Sequence, residues 1–460
     1  MNQNDTIAAI ATPSGVGAIG VIRISGENSI KVCRQFFKGK DLEKVPSHTI
    51  QYGHIVDEND AIVDEVMVSV FKAPRSFTAE NSVEISCHGS PLILEKVMQV
   101  ILSNGVRMAE PGEFSMRAFL NGRIDLSQAE AVADLISSTS EASRKVALQQ
   151  MRGGFSSEIA NLREELIMFT SLIELELDFG EEDVEFADRE KLINLVHEIQ
   201  SKLKPLIASF QLGNVLKNGI NTVIAGRPNA GKSTLLNAML NEERAIVSDI
   251  AGTTRDTIEE VLNIKGVQFR LIDTAGIRDA QDKIETIGVD LALSKIKHSS
   301  ILLYVFDVTD LSPEVLWADL EKLSLENQKL IVVANKMDLN PYTKPETFYK
   351  EGVIHSKNLV TASAINKMNL EALKENMFDQ IPLDKLEDQT IVTNLRHYRA
   401  LKDASEALTD VLNGIEMGLT GDLISLDLKR ALTQLGNITG AIDVDEDILG
   451  AIFSKFCIGK

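Results

Sequence analysis

The run Gly226-Arg-Pro-Asn-Ala-Gly-Lys-Ser233 sets two glycines, a lysine and a serine at the spacing GxxxxGK[ST]. That spacing makes a phosphate cradle. Glycines let backbone N–H groups turn toward phosphate oxygens, Lys232 supplies a cation to the β- and γ-phosphates, and the Ser233 hydroxyl can ligate Mg²⁺. The run follows Ile220–Ala225, a short, continuously apolar stretch that reads as a buried parallel strand. It precedes a helical stretch whose N-terminus adds partial positive charge. Asn229, Ala230, Gly231, Lys232, Ser233 and Thr234 are therefore the expected contacts to a nucleotide.

Three more segments follow in order, each at a strand end. Asp273-Thr274-Ala275-Gly276 ends Phe269–Ile272; its carboxylate can reach the Mg²⁺ shell and the Gly276 N–H can sense a γ-phosphate. Asn335-Lys336-Met337-Asp338 ends Leu330–Ala334. The Asp338 carboxylate can accept from guanine N1–H and the 2-amino group, which selects GTP over ATP. Ser363 and Ala364 form the short loop that closes over the base. Between the first two segments lie Ser248, Asp249, Ile250, Ala251, Gly252, Thr253 and Thr254. This loop reads as a switch, with Thr254 completing the Mg²⁺ shell. The residue after Gly276 is Ile277, where many signalling GTPases carry a water-orienting glutamine. Glu285 is a candidate replacement; its other reading is an ordinary exposed helix glutamate.

The elements that must position these residues alternate. Strand-like runs Phe269–Ile272, Ile301–Phe306 and Leu330–Ala334 are separated by helical stretches, the pattern of an α/β domain. Before it, Ile159, Leu162, Leu166, Phe169, Ile173 and Leu177 recur at helical spacing; after it, so do Leu401, Ala404, Leu408 and Val411, and Ile424, Leu428, Leu432 and Leu435. The economical reading is one helical domain, 121–217 plus 381–460, interrupted by an α/β insertion at 218–380; two separate helical domains are the alternative. Ala18–Ser25, Val63–Phe71 and Glu84–Cys87 read as strands of an α+β domain over 1–120.

The bulk composition agrees with a chain of several globular domains: 460 residues, 44% hydrophobic and 25% charged. Its 47 basic and 67 acidic residues leave a net charge of −20, which disfavours general nucleic-acid binding. Three distant cysteines, Cys33, Cys87 and Cys457, make no disulfide framework, so a reducing cytoplasm is expected. Cys87-His88 has no companions at metal-ligand spacing and reads as structural. No signal peptide is evident, and no apolar run reaches the length of a membrane span.

With these residues in view, the chain resembles the MnmE (TrmE) family of tRNA modification GTPases. The opening DTIAAI (5–10), the IRISG run (22–26), Ser86–Gly89, Pro111–Phe114, RAFLNGRIDL (117–126) and the final Cys457-Ile458-Gly459-Lys460 carry the resemblance. It implies a multidomain α/β chain: a tetrahydrofolate-binding-like α+β domain that also dimerises, a helical domain and an inserted GTPase domain. It implies activation by K⁺, held by Asn229 with help from Ser248, Ile250 and Thr253, and a catalytic Glu285 that orients water. It assigns Arg23, Glu80, Arg123 and Lys460 to a pocket for 5-formyl- or methylene-tetrahydrofolate, though position 123 is often lysine in the family. It makes Cys457 a thiol needed for modification; a buried structural cysteine is the competing reading, and Gly459-Lys460 does not suit prenylation. The implied partners are tRNA, a second copy of the chain, and an FAD- and NADH-using protein of the MnmG (GidA) family. Together they would add an aminomethyl-type or carboxymethylaminomethyl group at C5 of the wobble uridine, U34. A ribosome-assembly GTPase switch is the rival reading.

Overall fold

The structure is a computed structural model. It describes residues 5–178, 189–241, 259–273, 299–323, 328–381 and 390–441, with positions 449, 452–454, 456 and 459. The first strands and helices are β1 (Ile7–Ile10), β2 (Ile19–Ser25), α1 (Ser29–Phe36), β3 (Phe37–Gly39), β4 (Thr49–Val56), β5 (Ile62–Phe71), β6 (Ser82–His88), α2 (Pro91–Ser103) and β7 (Arg107–Met108). Five helices follow: α3 (Glu113–Leu120), α4 (Leu126–Ser137), α5 (Glu141–Met151), α6 (Gly154–Asp178) and α7 (Arg189–Asn218). Next come β8 (Ile220–Ala225), α8 (Lys232–Asn241), β9 (Glu259–Ile264), β10 (Val267–Asp273), β11 (Ile301–Asp307), α9 (Pro313–Lys322), β12 (Lys329–Asn335), β13 (Leu359–Thr361) and α10 (Leu370–Asp379). The last two are α11 (Leu395–Glu416) and α12 (Gly421–Thr439). The chain packs into two compact units. One comprises Met1–Ser137, Ala147–Leu203 and Arg399–Lys460; the other comprises Ser138–Val146 and Lys204–Tyr398.

In the first unit a seven-stranded sheet runs β3-β4-β5-β6-β2-β1-β7. Neighbours pair antiparallel except β1 with β7. Alternation along β5 buries Val66, Val68 and Val70 while Glu65 and Met67 face out. The buried face joins Ile22, Ile24, Val83 and Ile85 to Cys33 and Phe36 of α1 and to Leu94, Val97 and Ile101 of α2. The outer face leaves Ile50, Tyr52 and Met67 exposed, with Tyr52 and Met67 directly opposite in register. Helices that precede and follow the α/β segment in sequence also meet in this unit. α12 runs against α6, Lys429 pairs with Glu174, and the Gln200 amide donates to the Thr409 hydroxyl over 2.9 Å. The apolar positions read at helical spacing are buried on α6, α11 and α12, except that Leu432 is half-buried and the Leu177 side chain lies outside the described residues.

The second unit is built on a six-stranded sheet, β13-β12-β11-β8-β10-β9, parallel except for β9 at the edge. Both faces are covered, which is why β8, β11 and β12 are apolar without alternation. Leu235 and Met239 of α8 and Leu373 and Met377 of α10 close one face over Phe269, Leu303 and Val333. Leu316 and Leu320 of α9, with Phe348, close the other over Phe306 and Val332.

Candidate functional site

β8, β10, β11, β12 and β13 all end at one edge of the parallel sheet, so their carboxyl ends present the following loops together. That edge is where open α/β sheets bind ligands. The loop after β8 leaves at Gly226, whose φ is +144°; a Cβ there would sit 2.0 Å from the Val305 carbonyl oxygen of β11. Only glycine fits so close an approach. Gly231, at φ +89°, is equally confined: a Cβ would lie 2.4 Å from Asn335 Nδ2. Between them Asn229 adopts φ +62°. The buried Lys232 ammonium donates to the Gly226 and Arg227 carbonyls over 3.0 and 2.9 Å, so the loop curls around its own lysine. Ser233 and Thr234 are exposed at the first turn of α8.

Asn335 joins three of the predicted segments. It is 1% exposed. Its Nδ2 donates to the Ala230 carbonyl over 2.9 Å, and its Oδ1 accepts from the Ala364 N–H over 3.0 Å. One amide thus ties the phosphate-type loop to the 363–364 loop. Ser363, fully buried, donates its hydroxyl to Asp338 Oδ1 over 2.6 Å, which fixes that carboxylate. Lys336, at φ +65°, sets its ammonium 2.7 Å from Asp307 Oδ2 at the end of β11. Burial alone would raise the Asp307 carboxyl, but Lys336 and the Thr309 donors outweigh it and hold it below its usual value. Met337 donates its backbone N–H to Ala362 over 3.1 Å.

The residues present fit a nucleotide with Mg²⁺ in two respects. The loop is packed so tightly on β11 and Asn335 that neither 226 nor 231 has room for a Cβ, which is the tight glycine turn a phosphate loop needs. Ser233, an exposed residue at the start of α8, carries a hydroxyl, an oxygen ligand of the kind Mg²⁺ takes. Several expected contacts lie outside the described residues: Ser248, Asp249, Ile250, Ala251, Gly252, Thr253, Thr254, Thr274, Ala275, Gly276 and Glu285. Asp273 is the last residue of β10, opposite Ile224, and its side chain lies outside them too.

A second cluster forms in the first unit around the 76–81 loop. Arg23 of β2 has its guanidinium 5.1 Å from the centre of the Phe77 ring and 5.7 Å from that of Phe114. The Arg123 guanidinium lies 5.4 Å from the same Phe77 ring and donates to the Phe77 carbonyl over 2.9 Å. Glu80 accepts from the Ser25 hydroxyl at 2.8 Å. Three of the four residues assigned to a folate pocket are thus close together. The fourth, Lys460, lies outside the described residues with Cys457, although the Gly459 carbonyl reaches Arg23 Nη1 over 3.4 Å. Arg23 and Glu80 do not pair with each other. Arg23 Nε and Nη2 both donate to Glu84 Oε1, at 2.9 and 2.7 Å, and Glu80 faces Arg117 at 3.3 Å.

Arg117 is the residue that pattern reading passed over. It is nearly buried, and it donates to Asp5 and Glu113 over 2.5 and 3.0 Å. Arg107 forks onto Glu113 from the other side over 3.1 and 2.7 Å. Burial pushes the Glu113 carboxyl up, but Arg107, the Glu110 N–H and Arg117 together hold it below its usual value. Charged residues read from sequence default to the surface, so such a network leaves no periodic signal. At the far end of β6, His88 Nδ1 lies 2.7 Å from Asp64 Oδ1, while burial and then the Asp64 charge push the Cys87 thiol up to about 11.

The family description "MnmE helical domain" matches residues 126–457, and "GTP-binding protein TrmE N-terminus" matches residues 6–123. A protein of Cytophaga hutchinsonii named tRNA modification GTPase MnmE is 53% identical, covering 100% of this chain and 98% of its own. Its namesake in Flavobacterium johnsoniae is 52% identical over the whole of both chains, and that of Bacteroides fragilis 46%. Matched over most of its length and half identical to full-length relatives, the chain belongs to the MnmE family of tRNA modification GTPases.

Proposed function

We propose that the second unit binds and hydrolyses GTP with Mg²⁺, and that this hydrolysis drives a conformational cycle serving modification of the wobble uridine of tRNA. The observation that carries the reading is the bond set around Asn335: the phosphate-type loop, the Asn335–Asp338 turn and the 363–364 loop are held as one constellation, with the Asp338 carboxylate aimed by Ser363. A carboxylate fixed in this way discriminates guanine through two charge-assisted bonds. Calorimetric titration of the full chain with GTP and ATP tests it. Saturable GTP binding with no detectable ATP binding is the expected result; equal affinities would refute it.

The finer chemistry extends the same proposal. K⁺ held by Asn229, with Ser248, Ile250 and Thr253, supplies positive charge beside the phosphates, and Glu285 orients the attacking water. Arg227 cannot supply that charge in the described arrangement, because its guanidinium is forked onto Asp319. A formyl- or methylene-tetrahydrofolate seats against Arg23, Glu80, Arg123 and Lys460, where cations flank an aromatic ring and one carboxylate keeps an accessible edge. Folate brings the one-carbon unit, Cys457 acts in the modification, and flavin and NADH chemistry belongs to an MnmG-type partner. The exposed apolar face at Ile50, Tyr52 and Met67 supports a homodimer formed through the N-terminal sheet. On this reading the functional division is 1–120, 121–217 with 381–460, and 218–380. No helix among the described residues is long and apolar enough to cross a membrane; a cytoplasmic location is part of the proposal.

A further inference from the structure

The phosphate-type loop has an anchor outside the nucleotide motifs. Arg227, the second residue of the loop, directs its side chain to α9, where Nε and Nη2 donate to the two Asp319 oxygens over 2.6 and 3.0 Å. The Tyr304 hydroxyl of β11 donates to the same carboxylate over 2.9 Å. Asp319 thus takes three bonds, one from the strand that presses on Gly226 and two from the loop itself. α9 cannot drift, since Leu316 and Leu320 are buried in the core and Trp317 Nε1 donates to the Phe348 carbonyl over 3.0 Å. The backbone carbonyl of Arg227 is one of the two that receive the Lys232 ammonium. The side chain of Arg227 therefore fixes the peptide that holds the lysine.

We infer that Asp319 is a positioning residue for nucleotide binding: acting through Arg227, it holds the carbonyl cradle of Lys232 and slows nucleotide release. The inference rests on the GTP reading above and goes beyond it, because nothing in the GxxxxGK[ST] pattern involves α9. Arg227 is half exposed, so water and salt screen the pair, and a lone exposed ion pair contributes little. The forked geometry and the third donor raise it above that floor. The effect is accordingly a modest change in release rate and not a loss of binding.

The test is release of N-methylanthraniloyl-GDP from the full chain, followed by stopped flow after adding excess GDP. Asp319→Ala is expected to release the probe about fivefold faster, and Arg227→Ala by the same factor. The double variant is expected to match either single one, because both remove one link. Tyr304→Phe keeps the forked pair but removes its third donor, so it is expected to speed release by less than Asp319→Ala does, and Asp319→Glu to restore part of the slow release. Urea midpoints of the same variants separate positioning from general loosening. Unchanged release in Asp319→Ala, factors that multiply in the double variant, or a release change that only tracks a falling urea midpoint would each overturn the inference. Failure of the unaltered chain to bind the probe would instead sink the GTP reading itself.

Discussion

Replacing Asn335 by alanine removes a side chain that bonds both the phosphate-type loop and the 363–364 loop. Two hydrogen bonds go, at 2.9 and 3.0 Å, and they leave the Ala230 carbonyl and the Ala364 N–H where Ala230 and Ala364 are themselves buried. A net bond contributes about 1 kcal/mol, and an orphaned buried polar group costs about 1–3 kcal/mol. Partial relaxation of the loops toward water limits the sum, so the expected loss is roughly 2–4 kcal/mol, a sizeable part of a domain's stability of about 5–15 kcal/mol. The chain has one tryptophan, Trp317, and it lies in α9 of the second unit, so its fluorescence reports unfolding of that unit alone. With a urea slope of about 2 kcal/mol per M, the midpoint should fall by about 1–2 M. Asn335→Asp is a sharper control. It keeps the acceptor for Ala364 but sets a carboxylate oxygen against the Ala230 carbonyl, so it should also lower the midpoint. A midpoint within about 0.3 M of the unaltered chain for both variants would refute the bridging role.

Three further outcomes are expected. Asp338→Asn should weaken GTP by roughly 2–3 kcal/mol and admit xanthosine triphosphate, because an amide can donate to the xanthine 2-oxo group; calorimetry that finds GTP affinity unchanged rules out the assignment. The GTPase rate should rise steeply when Na⁺ is exchanged for K⁺, and Asn229→Ala should erase the difference; equal rates in the two salts count against a bound K⁺. Acid should loosen the N-terminal sheet through Asp5 and Glu113, whose carboxyls are held below their ordinary values of 3.8 and 4.5 by Arg107 and Arg117 against the opposing effect of burial. A depressed folded-state value gives a stabilisation that is full above the ordinary value and is lost as pH falls below it, through the lower folded-state value. Hydrogen-exchange protection of the Arg107 and Ala109 amides, which bond the Thr6 and Ala8 carbonyls, should therefore drop between about pH 4.5 and pH 2.5, and less so in Glu113→Gln. Equal protection at both pH values contradicts this.

Much of the second unit was legible in the sequence because its physics is local. β8 matches the apolar run Ile220–Ala225 residue for residue, and β10, β11 and β12 each extend the expected runs by one to three residues. In the first unit β2, β5 and β6 were legible through alternation or β-branched content. β1 (IAAI), the two-residue β7 and the polar edge strand β9 were not, because short or polar strands form only where a neighbour supplies the pairing. The site divides in the same way. Gly226, Lys232 and Asp338 announce themselves by spacing. The Asn335 bridge, the Arg227–Asp319 fork and the Arg117–Glu113 network join residues whose sequence order says nothing about contact. Arg23 illustrates the limit: its assignment came from resemblance, and only the structure shows Glu84 as its ion-pair partner.

The central claim is that GTP chemistry in this chain serves tRNA modification, and the most direct test reads the tRNA. Cells lacking the chain are supplied with either the unaltered protein or Lys232→Ala, which removes the cation held by the loop carbonyls. Bulk tRNA is then digested and its nucleosides measured by mass spectrometry, with equal expression of the two proteins checked alongside. The account predicts that the C5-modified wobble uridine returns with the unaltered chain and stays absent with Lys232→Ala. Full modification with Lys232→Ala, or none with the unaltered chain, would contradict it.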